Sequence, residues 1–142
     1  MIHFVLYIMY DNILLPIDRG YESTMKAVKE SIKIADKFDS VIHIMYVQLE
    51  EDEIHPDKED IEPIEEMKEF FENTSIDNEI RYIVKKGKPI DEICTYVNEE
   101  YIDLIIMTTH RRGLIGKVTL GSLTDDTIQN TECPVLVMKM DT

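Results

Sequence analysis

Five short apolar runs alternate along the chain with four segments whose apolar residues recur every three or four positions. The runs are Asn12–Ile17, Ser40–Val47, Asn78–Val84, Asp103–Thr108 and Pro134–Met138. Runs of this length that are apolar on both faces are typical of strands covered on both sides, as in a parallel sheet. The chain is therefore predicted to be built around five parallel strands.

The segments between the runs have helical periodicity. In the first, which extends from Glu22 to Phe38, the apolar positions include Met25, Val28, Ile32 and Ala35, and Ser23 is the expected N-cap. The others are predicted at about 61–73, from Pro89 onward, and from just after Gly121 and Ser122 to near Asn130. The resulting βαβαβαβαβ order predicts an α/β fold, with a doubly wound parallel sheet, right-handed crossovers and helices on both faces.

A chain of 142 residues is long enough for one domain with its own core, and residues 10–142 are predicted to form it. Residues 1–9 are predicted to be an apolar N-terminal extension. They lack the basic region and cleavage site of a signal peptide and are far shorter than a membrane span. The extension either lengthens the first strand or reflects an upstream start codon, with Met9 as the usual first residue.

The charge of the chain excludes two classes of partner. The formal net charge is -14, and this much negative charge repels nucleic acid and anionic membrane surfaces at long range. Much of it lies between Leu49 and Glu66, a segment interpreted as a solvated loop and helix face rather than an acidic docking patch. Cys94 and Cys133 are predicted to be small buried apolar residues, and their number and spacing favour a reducing cytoplasm.

One basic segment stands out in this acidic chain. No Asp or Glu occurs from Leu104 through Thr124, whereas His110, Arg111, Arg112 and Lys117 fall inside that stretch. It leads into the last predicted helix at Gly121 and Ser122, where free N–H groups and the helix dipole favour an anion. The alternative is a plain helix cap, in which Ser122 and Asp125 form a capping box.

Four stretches, ILLPIDRGYES, VIHIMYV, DLIIMTTHRRG and LGSLTDDTIQNTECPVLVMK, resemble the universal stress protein family in order and spacing. The resemblance extends from about Tyr10 to Lys139. It implies a strand order of 3-2-1-4-5, an adenine-nucleotide alpha-hydrolase-like fold and a cytoplasmic homodimer. The implied dimer pairs through the last strand, at Val135, Leu136, Val137 and Met138.

The resemblance also implies that ATP or another adenine nucleotide binds at the carboxyl ends of strands 1, 2 and 4, with Mg²⁺ or Mn²⁺ accompanying the phosphates. Asp18 matches an acidic residue near the nucleoside, Val47 matches a backbone contact to adenine, and His110 matches a loop histidine near the phosphates. The implied nucleotide-binding residues are Pro16, Ile17, Asp18, Val47, Met107, Thr108, His110, Arg111, Gly121, Ser122, Leu123 and Thr124.

Two positions depart from the family's nucleotide motif. Thr108 and Arg111 stand where the motif has its first two glycines, and only Gly121 and Ser122 match its end. A side chain at Thr108 narrows the space for a ligand, whereas Arg111 offers a guanidinium to an anion. The favoured hypothesis is a nucleotide-binding regulatory protein with no catalytic residue and at most slow incidental ATP hydrolysis. The alternative is a dimeric interaction module in which Thr108 and Arg111 close the cleft.

Overall fold

The computed structural model describes residues 10–49, 61–109 and 121–139. Strands and helices alternate strictly through these residues, as the periodicity predicts. The strands are β1 (Asn12–Ile17), β2 (Val41–Gln48), β3 (Ile80–Lys86), β4 (Leu104–Thr108) and β5 (Val135–Met138). The helices are α1 (Tyr21–Phe38), α2 (Glu62–Glu72), α3 (Pro89–Glu99) and α4 (Ser122–Asn130).

The five strands form one parallel sheet in the order β3-β2-β1-β4-β5, which confirms the predicted topology. From β1 the chain builds outward to β2 and β3 on one side, then returns to add β4 and β5 on the other. In such sheets a crevice opens beyond the carboxyl ends of the strands where the order reverses. The reversal lies between β1 and β4.

Helices cover both faces of the sheet. On one face Ile13, Ile44 and Ile106 pack with residues of α1 and α2, including Val28 and Met67. On the other face, Leu14, Met45 and Ile105 pack against Ile93 and Val97 of α3. The central strands are therefore buried on both sides, which explains why their sequences read as continuous apolar runs rather than as an alternation.

Three local predictions were wrong. Gly20, not Ser23, is the N-cap of α1, and the Ser23 hydroxyl donates to the carbonyl of Gly20 from inside the first turn. Ser122 is the first residue of α4 rather than its cap, and no side-chain capping bond forms there, so the capping box is absent. Cys94 and Cys133 are free thiols, but each is partly exposed rather than buried.

Two further predictions concern the N-terminal extension and membrane spans. The apolar extension lies outside the described residues, so the division at residue 10 stays a prediction. Of the helices that the structure describes, none combines the length and the apolar composition that a membrane span requires.

The turn after α3 contains an exposed residue in a left-handed backbone conformation. Tyr101 has φ 53° and is 81% exposed, and the amide of Ile102 donates to the carbonyl of Val97 at 3.1 Å. This is the hydrogen-bond pattern of a Schellman motif, in which glycine is the usual residue. Tyrosine occupies the position at a steric cost that glycine does not incur.

We therefore expect Tyr101→Gly to raise the free energy of unfolding by about 0.5 kcal/mol, after the larger unfolded-state entropy of glycine is subtracted. Urea denaturation measures the change. Tyr101→Ala is the matched control, because it also removes the ring but keeps the Cβ atom that causes the strain. Equal stability of the Gly and Ala variants would contradict this explanation.

Candidate functional site

Two neighbouring clefts open at the carboxyl edge of the sheet, beside the reversal point. The larger has a volume of about 620 Å³ and the smaller about 210 Å³. They share four lining residues, which are Pro16, Ile17, Asp18 and Leu123. A ligand that reaches from one to the other would pass the end of β1 and the start of α4.

The larger cleft has mainly apolar walls. Met45 and Val47 of β2 lie on one side, and Pro89 and Ile93 of α3 lie on another. Its polar lining comes from residues at the ends of β1 and β2, which are Asp18, Arg19, Tyr46 and Gln48. Few polar groups among apolar walls are typical of sites for flat organic ligands.

The smaller cleft is lined by the end of β4 and the beginning of α4. Met107 and Thr108 belong to the strand, and Gly121, Ser122 and Thr124 belong to the helix and its cap. The amide of Asp125 donates to the carbonyl of Gly121 at 3.0 Å, which is the first hydrogen bond of the helix. The amides before Asp125 therefore have no partner within α4, and the positive end of the helix dipole lies at this cleft.

The hydroxyl of Thr124 is the most informative polar group of the smaller cleft. Thr124 is only 3% exposed, and its hydroxyl makes no hydrogen bond in the part of the chain that the structure describes. No fully enclosed side-chain nitrogen or oxygen of the described residues lacks a partner, so this hydroxyl retains some exposure to solvent, and Thr124 lines the smaller cleft. By contrast, the hydroxyl of Thr127, one turn later, donates to the carbonyl of Leu123 at 2.7 Å.

A tight turn holds Asp18 where the two clefts meet. Its Oδ1 atom accepts the amide hydrogen of Gly20 at 2.7 Å. A Cβ atom on residue 20 would lie 2.8 Å from Ser23 Oγ and 2.9 Å from Asp18 Oδ1, which is closer than such contacts allow. Glycine at this position therefore permits the turn that positions the carboxylate.

Few of the described residues that line the clefts are charged. Within residues 10–49, 61–109 and 121–139, the charged side chains that line either cleft are Asp18 and Arg19. The Arg19 guanidinium contacts the Glu62 carboxylate at 3.5 Å, between two exposed side chains at the start of α1 and α2. The same ranges contain no group of three His, Cys, Asp or Glu residues placed to hold a metal ion.

The one histidine in the described ranges lies away from the clefts. His43 of β2 is fully buried, with Nδ1 2.6 Å from the Tyr96 hydroxyl and Nε2 3.0 Å from Asn12 Oδ1. Burial, together with the charge of Arg81, lowers the pKa of His43 to about 4. Because Asn12 Oδ1 only accepts, the neutral ring carries its hydrogen on Nε2, and Nδ1 accepts from Tyr96. This polar cluster links β1, β2 and α3.

The structure brings together every predicted nucleotide-binding residue that it describes. These ten residues, Pro16, Ile17, Asp18, Val47, Met107, Thr108, Gly121, Ser122, Leu123 and Thr124, each line one or both clefts. His110 and Arg111 lie outside the described residues. The roles of all twelve in binding stay predictions.

Sequence reasoning missed Gly20, which supports the turn at Asp18, and several residues that line the larger cleft. Gly20 carried a usable signal, because a glycine two residues after an acidic strand end favours a side-chain-supported turn. Met45, Pro89 and Ile93 carried none, since their periodicity is that of ordinary core residues and only the packing of α3 on the sheet places them at a cleft.

The sequence and the fold match known proteins. The model of the universal stress protein family matches residues 9–139. Universal stress protein MJ0531 of Methanocaldococcus jannaschii is 27% identical over 148 residues, which cover 92% of this chain and 83% of the relative. The solved structure of MJ0577 from the same organism has a TM-score of 0.76 at 26% identity, covering 95% of this chain and 99% of that one.

Two more distant solved structures share the fold. A universal stress protein in complex with cAMP has a TM-score of 0.68 at 18% identity, covering 92% of this chain and 97% of that one. A universal stress protein family protein of Arabidopsis thaliana with AMP bound, At3g01520, has a TM-score of 0.61 at 21% identity and covers 92% of both chains. The architecture is the adenine-nucleotide alpha-hydrolase-like fold, and the chain belongs to the universal stress protein family.

Proposed function

We propose that this protein binds an adenine nucleotide in its two clefts and acts as a cytoplasmic, homodimeric regulatory protein whose partner contacts depend on occupancy. The observation that carries the binding proposal is the buried hydroxyl of Thr124, which has no hydrogen-bond partner among the described residues, at a helix start without a side-chain cap. The related structures with cAMP and AMP support the choice of an adenine nucleotide. The free thiols of Cys94 and Cys133 are compatible with a reducing compartment.

The two clefts suggest how the nucleotide would be divided between them. The base suits the larger cleft, where apolar side chains such as Val47 and Ile93 offer surfaces to a flat ring. A phosphate suits the smaller cleft, where Ser122, Thr124 and the first amides of α4 supply neutral donors. Asp18 lines both clefts and would accept hydrogen bonds from the sugar between them.

Other parts of the proposal rest on the resemblance to the family. His110 and Arg111 are proposed to contact the phosphates from the segment that follows β4. A Mg²⁺ or Mn²⁺ ion, if one accompanies the phosphates, would be held chiefly by phosphate oxygens, since a polyphosphate supplies the hard oxygen ligands that such ions prefer.

A pair of threonine variants tests the binding proposal. We expect Thr124→Val to weaken AMP binding about tenfold, because it removes a donor from the smaller cleft and keeps the shape of the side chain. Isothermal titration calorimetry on the full chain gives the dissociation constants. Thr127→Val is the matched control, since the Thr127 hydroxyl is satisfied within α4 and lines neither cleft.

The competing hypothesis is that Thr108 and Arg111 close the cleft and the protein works as a non-nucleotide dimeric module. Thr108 lines an open volume of about 210 Å³ in the described structure, and this favours the nucleotide-binding hypothesis. Acid extraction of the purified protein, followed by titration with AMP, cAMP and ATP, separates the two. If no nucleotide co-purifies and none of the three produces heat, the interaction module is the better description.

The dimer proposal rests on the free edge of β5. The amide of Ile105 donates to the carbonyl of Pro134, and the amide of Thr109 donates to that of Met138, both at 2.9 Å. Since backbone groups alternate in direction along a strand, even-numbered residues of β5 face β4 and odd-numbered residues face outward. The N–H and C=O groups of Val135 and Val137 are thus available to a second chain, and an apolar edge of this kind invites pairing.

A further inference from the structure

We propose that Cys94 and Cys133 bind one soft monovalent metal ion, of the class of Cu(I), between their two thiolates in a third cleft. This cleft has a volume of about 430 Å³, and both cysteines line it. They are also the only two cysteines in the sequence. The proposal stands apart from nucleotide binding, since none of the described residues of the third cleft lines either of the other two clefts.

The third cleft lies at the amino edge of the sheet, opposite the edge that carries the other two clefts. One side comes from the second half of α3 and the turn after it, which leads into β4. The other side comes from the end of α4 and the residues that lead into β5. Cys94 lies in α3 and Cys133 lies just before β5, so the packing of these elements brings the two thiols to one cavity.

Reciprocal contacts tie together the segments that carry the two thiols. Cys94 Sγ lies 3.9 Å from the carbonyl oxygen of Asn130, which comes shortly before Cys133 in the sequence. Cys133 Sγ lies 3.4 Å from the carbonyl oxygen of Ile102, which shortly follows α3, the helix of Cys94. Each sulphur atom therefore contacts the segment that neighbours the other, and we place the ion between them.

Both thiols are available, and the backbone that carries each of them is held in place. Neither cysteine forms a disulfide, and both are partly exposed. Cys94 lies in α3, where the adjacent residue Ile93 packs in the core. Cys133 directly precedes Pro134, whose carbonyl accepts the amide hydrogen of Ile105 at 2.9 Å. Binding therefore requires little more than the rotation of two short side chains, so its cost in conformational entropy is small.

The electrostatic surroundings of the third cleft favour a cation. Asn98 in the last turn of α3 and Asn130 at the end of α4 both line it, and the C-terminus of a helix carries about half a negative elementary charge. Glu132 also lines the cleft, and its carboxylate forms no ion pair within residues 10–49, 61–109 and 121–139. No lysine or arginine of the same ranges lines the cleft. A metal cation is therefore attracted to this position before the thiols bind it.

The donor set indicates which ion fits. Thiolates select soft ions, chiefly Cu(I), zinc and the iron of iron–sulfur clusters. Structural zinc ions and iron–sulfur clusters take four protein ligands, whereas the described residues contain no group of three His, Cys, Asp or Glu side chains placed to hold a metal ion. Two thiolates alone match a monovalent ion that is stable with two ligands, as Cu(I) and Ag(I) are. On binding, each thiol gives its proton to the buffer, two sulphur–metal bonds form, and no atom changes its oxidation state.

Anaerobic titration of the reduced full chain with Cu(I), against the competing chelator bathocuproine disulfonate, tests the proposal. We expect one tightly bound ion per chain. Cys94→Ser and Cys133→Ser should each weaken binding by about a hundredfold, because a single thiolate cannot complete the site. The double variant gives the background from the eight methionine thioethers. Thr95→Ser, beside Cys94 on α3 but outside the cleft, is the matched control and should bind as the wild type does.

Several results would overturn the shared site. Two ions per wild-type chain would mean that the thiols act independently, and a loss of affinity in only one of the two single variants would leave a single-thiol site. Binding by the wild type no tighter than by the double variant would leave the cysteines without a role. A rise in mass by light scattering when Cu(I) is added would mean that the ion joins separate chains.

A measurement with Ag(I) needs no variant, so it also covers the case in which a serine variant does not fold. One equivalent of Ag(I) should raise the Tm of the reduced wild-type chain, because an ion that binds only the folded state stabilises it. An unchanged Tm contradicts the proposal.

Discussion

We expect a change of pH from 7 to about 4 to lower the free energy of unfolding by about 3 kcal/mol through the protonation of one side chain, His43. The imidazole is fully buried, and both of its nitrogens are already used by Tyr96 and Asn12 in the neutral form. Burial lowers the pKa of His43 from 6.5 to about 4 in the folded protein. The unfolded chain has no such constraint and keeps the ordinary value.

The direction of the effect follows from the two pKa values. Between pH 6.5 and about 4, the unfolded state binds a proton at this residue that the folded state does not bind. Falling pH therefore favours unfolding through that window. Above pH 6.5 His43 is protonated in neither state, and below about pH 4 it is protonated in both. Outside this window its contribution to the free energy of unfolding therefore does not change with pH.

Urea denaturation at several pH values between 7.5 and 4 measures this slope. His43→Gln is the informative variant, because an amide can both accept from Tyr96 and donate to Asn12 but does not titrate. We expect the stability of this variant to decline less over the window than that of the wild type. Parallel pH profiles for the two proteins would show that His43 is not the source of the acid sensitivity.

A single substitution on β5 is expected to convert the proposed dimer to monomer. Val137→Pro removes an outward-facing N–H from the free edge and leaves the hydrogen bonds to β4 in place, because residue 137 does not face that strand. Proline is tolerated at such positions on edge strands. We expect the mass measured by light scattering to fall to 16.6 kDa, that of one chain.

Val137→Ala is the matched control for the dimer experiment, since it shortens the same side chain and keeps the N–H group. It should remain dimeric if backbone pairing holds the two chains together. A wild-type chain that already has the mass of a monomer would rule out the dimer. Val137→Pro with an unchanged dimer mass would move the interface away from β5.

Most of the architecture was predictable because the pattern of burial is strong. The run Asn12–Ile17 coincides with β1, and the predicted start at Pro89 coincides with α3. The observed ends of strands differ from the predicted ends where contacts within the folded sheet, rather than local sequence, determine them. The predicted third strand began at Asn78, but β3 begins at Ile80, because Asn78 instead donates its side-chain amide to the carbonyls of Ala35 and Ser40.

Helix caps were the least predictable local feature. Serine at the expected start of α1 resembles a cap, but the turn formed by Asp18 and Gly20 starts the helix earlier and leaves Ser23 inside it. Ser122 with Asp125 likewise resembles a capping box, yet the first helical hydrogen bond is accepted by Gly121. In both cases the preceding glycine takes the cap position, and composition alone does not distinguish these arrangements.

The candidate site was predictable only in part. Asp18 follows β1, and Ser122 and Thr124 lie in the first turn of α4, so the topology brings them together at one edge of the sheet. Ile93 contributes to the larger cleft from the middle of the core face of α3, where periodicity indicates packing and nothing else. The cluster of His43, Tyr96 and Asn12 was also missed, because its members lie 31 and 53 residues apart.

The missing cap on α4 has a further consequence. With nine residues, α4 is shorter than a helix that is stable by itself in water, and its N-terminal amides have no side-chain acceptor among residues 10–49, 61–109 and 121–139. An anion seated there would complete the first turn, in the way that a serine or aspartate does in other helices. Binding of the ligand and stabilisation of α4 would then be coupled, and the bound anion would contribute to the stability of the site that holds it.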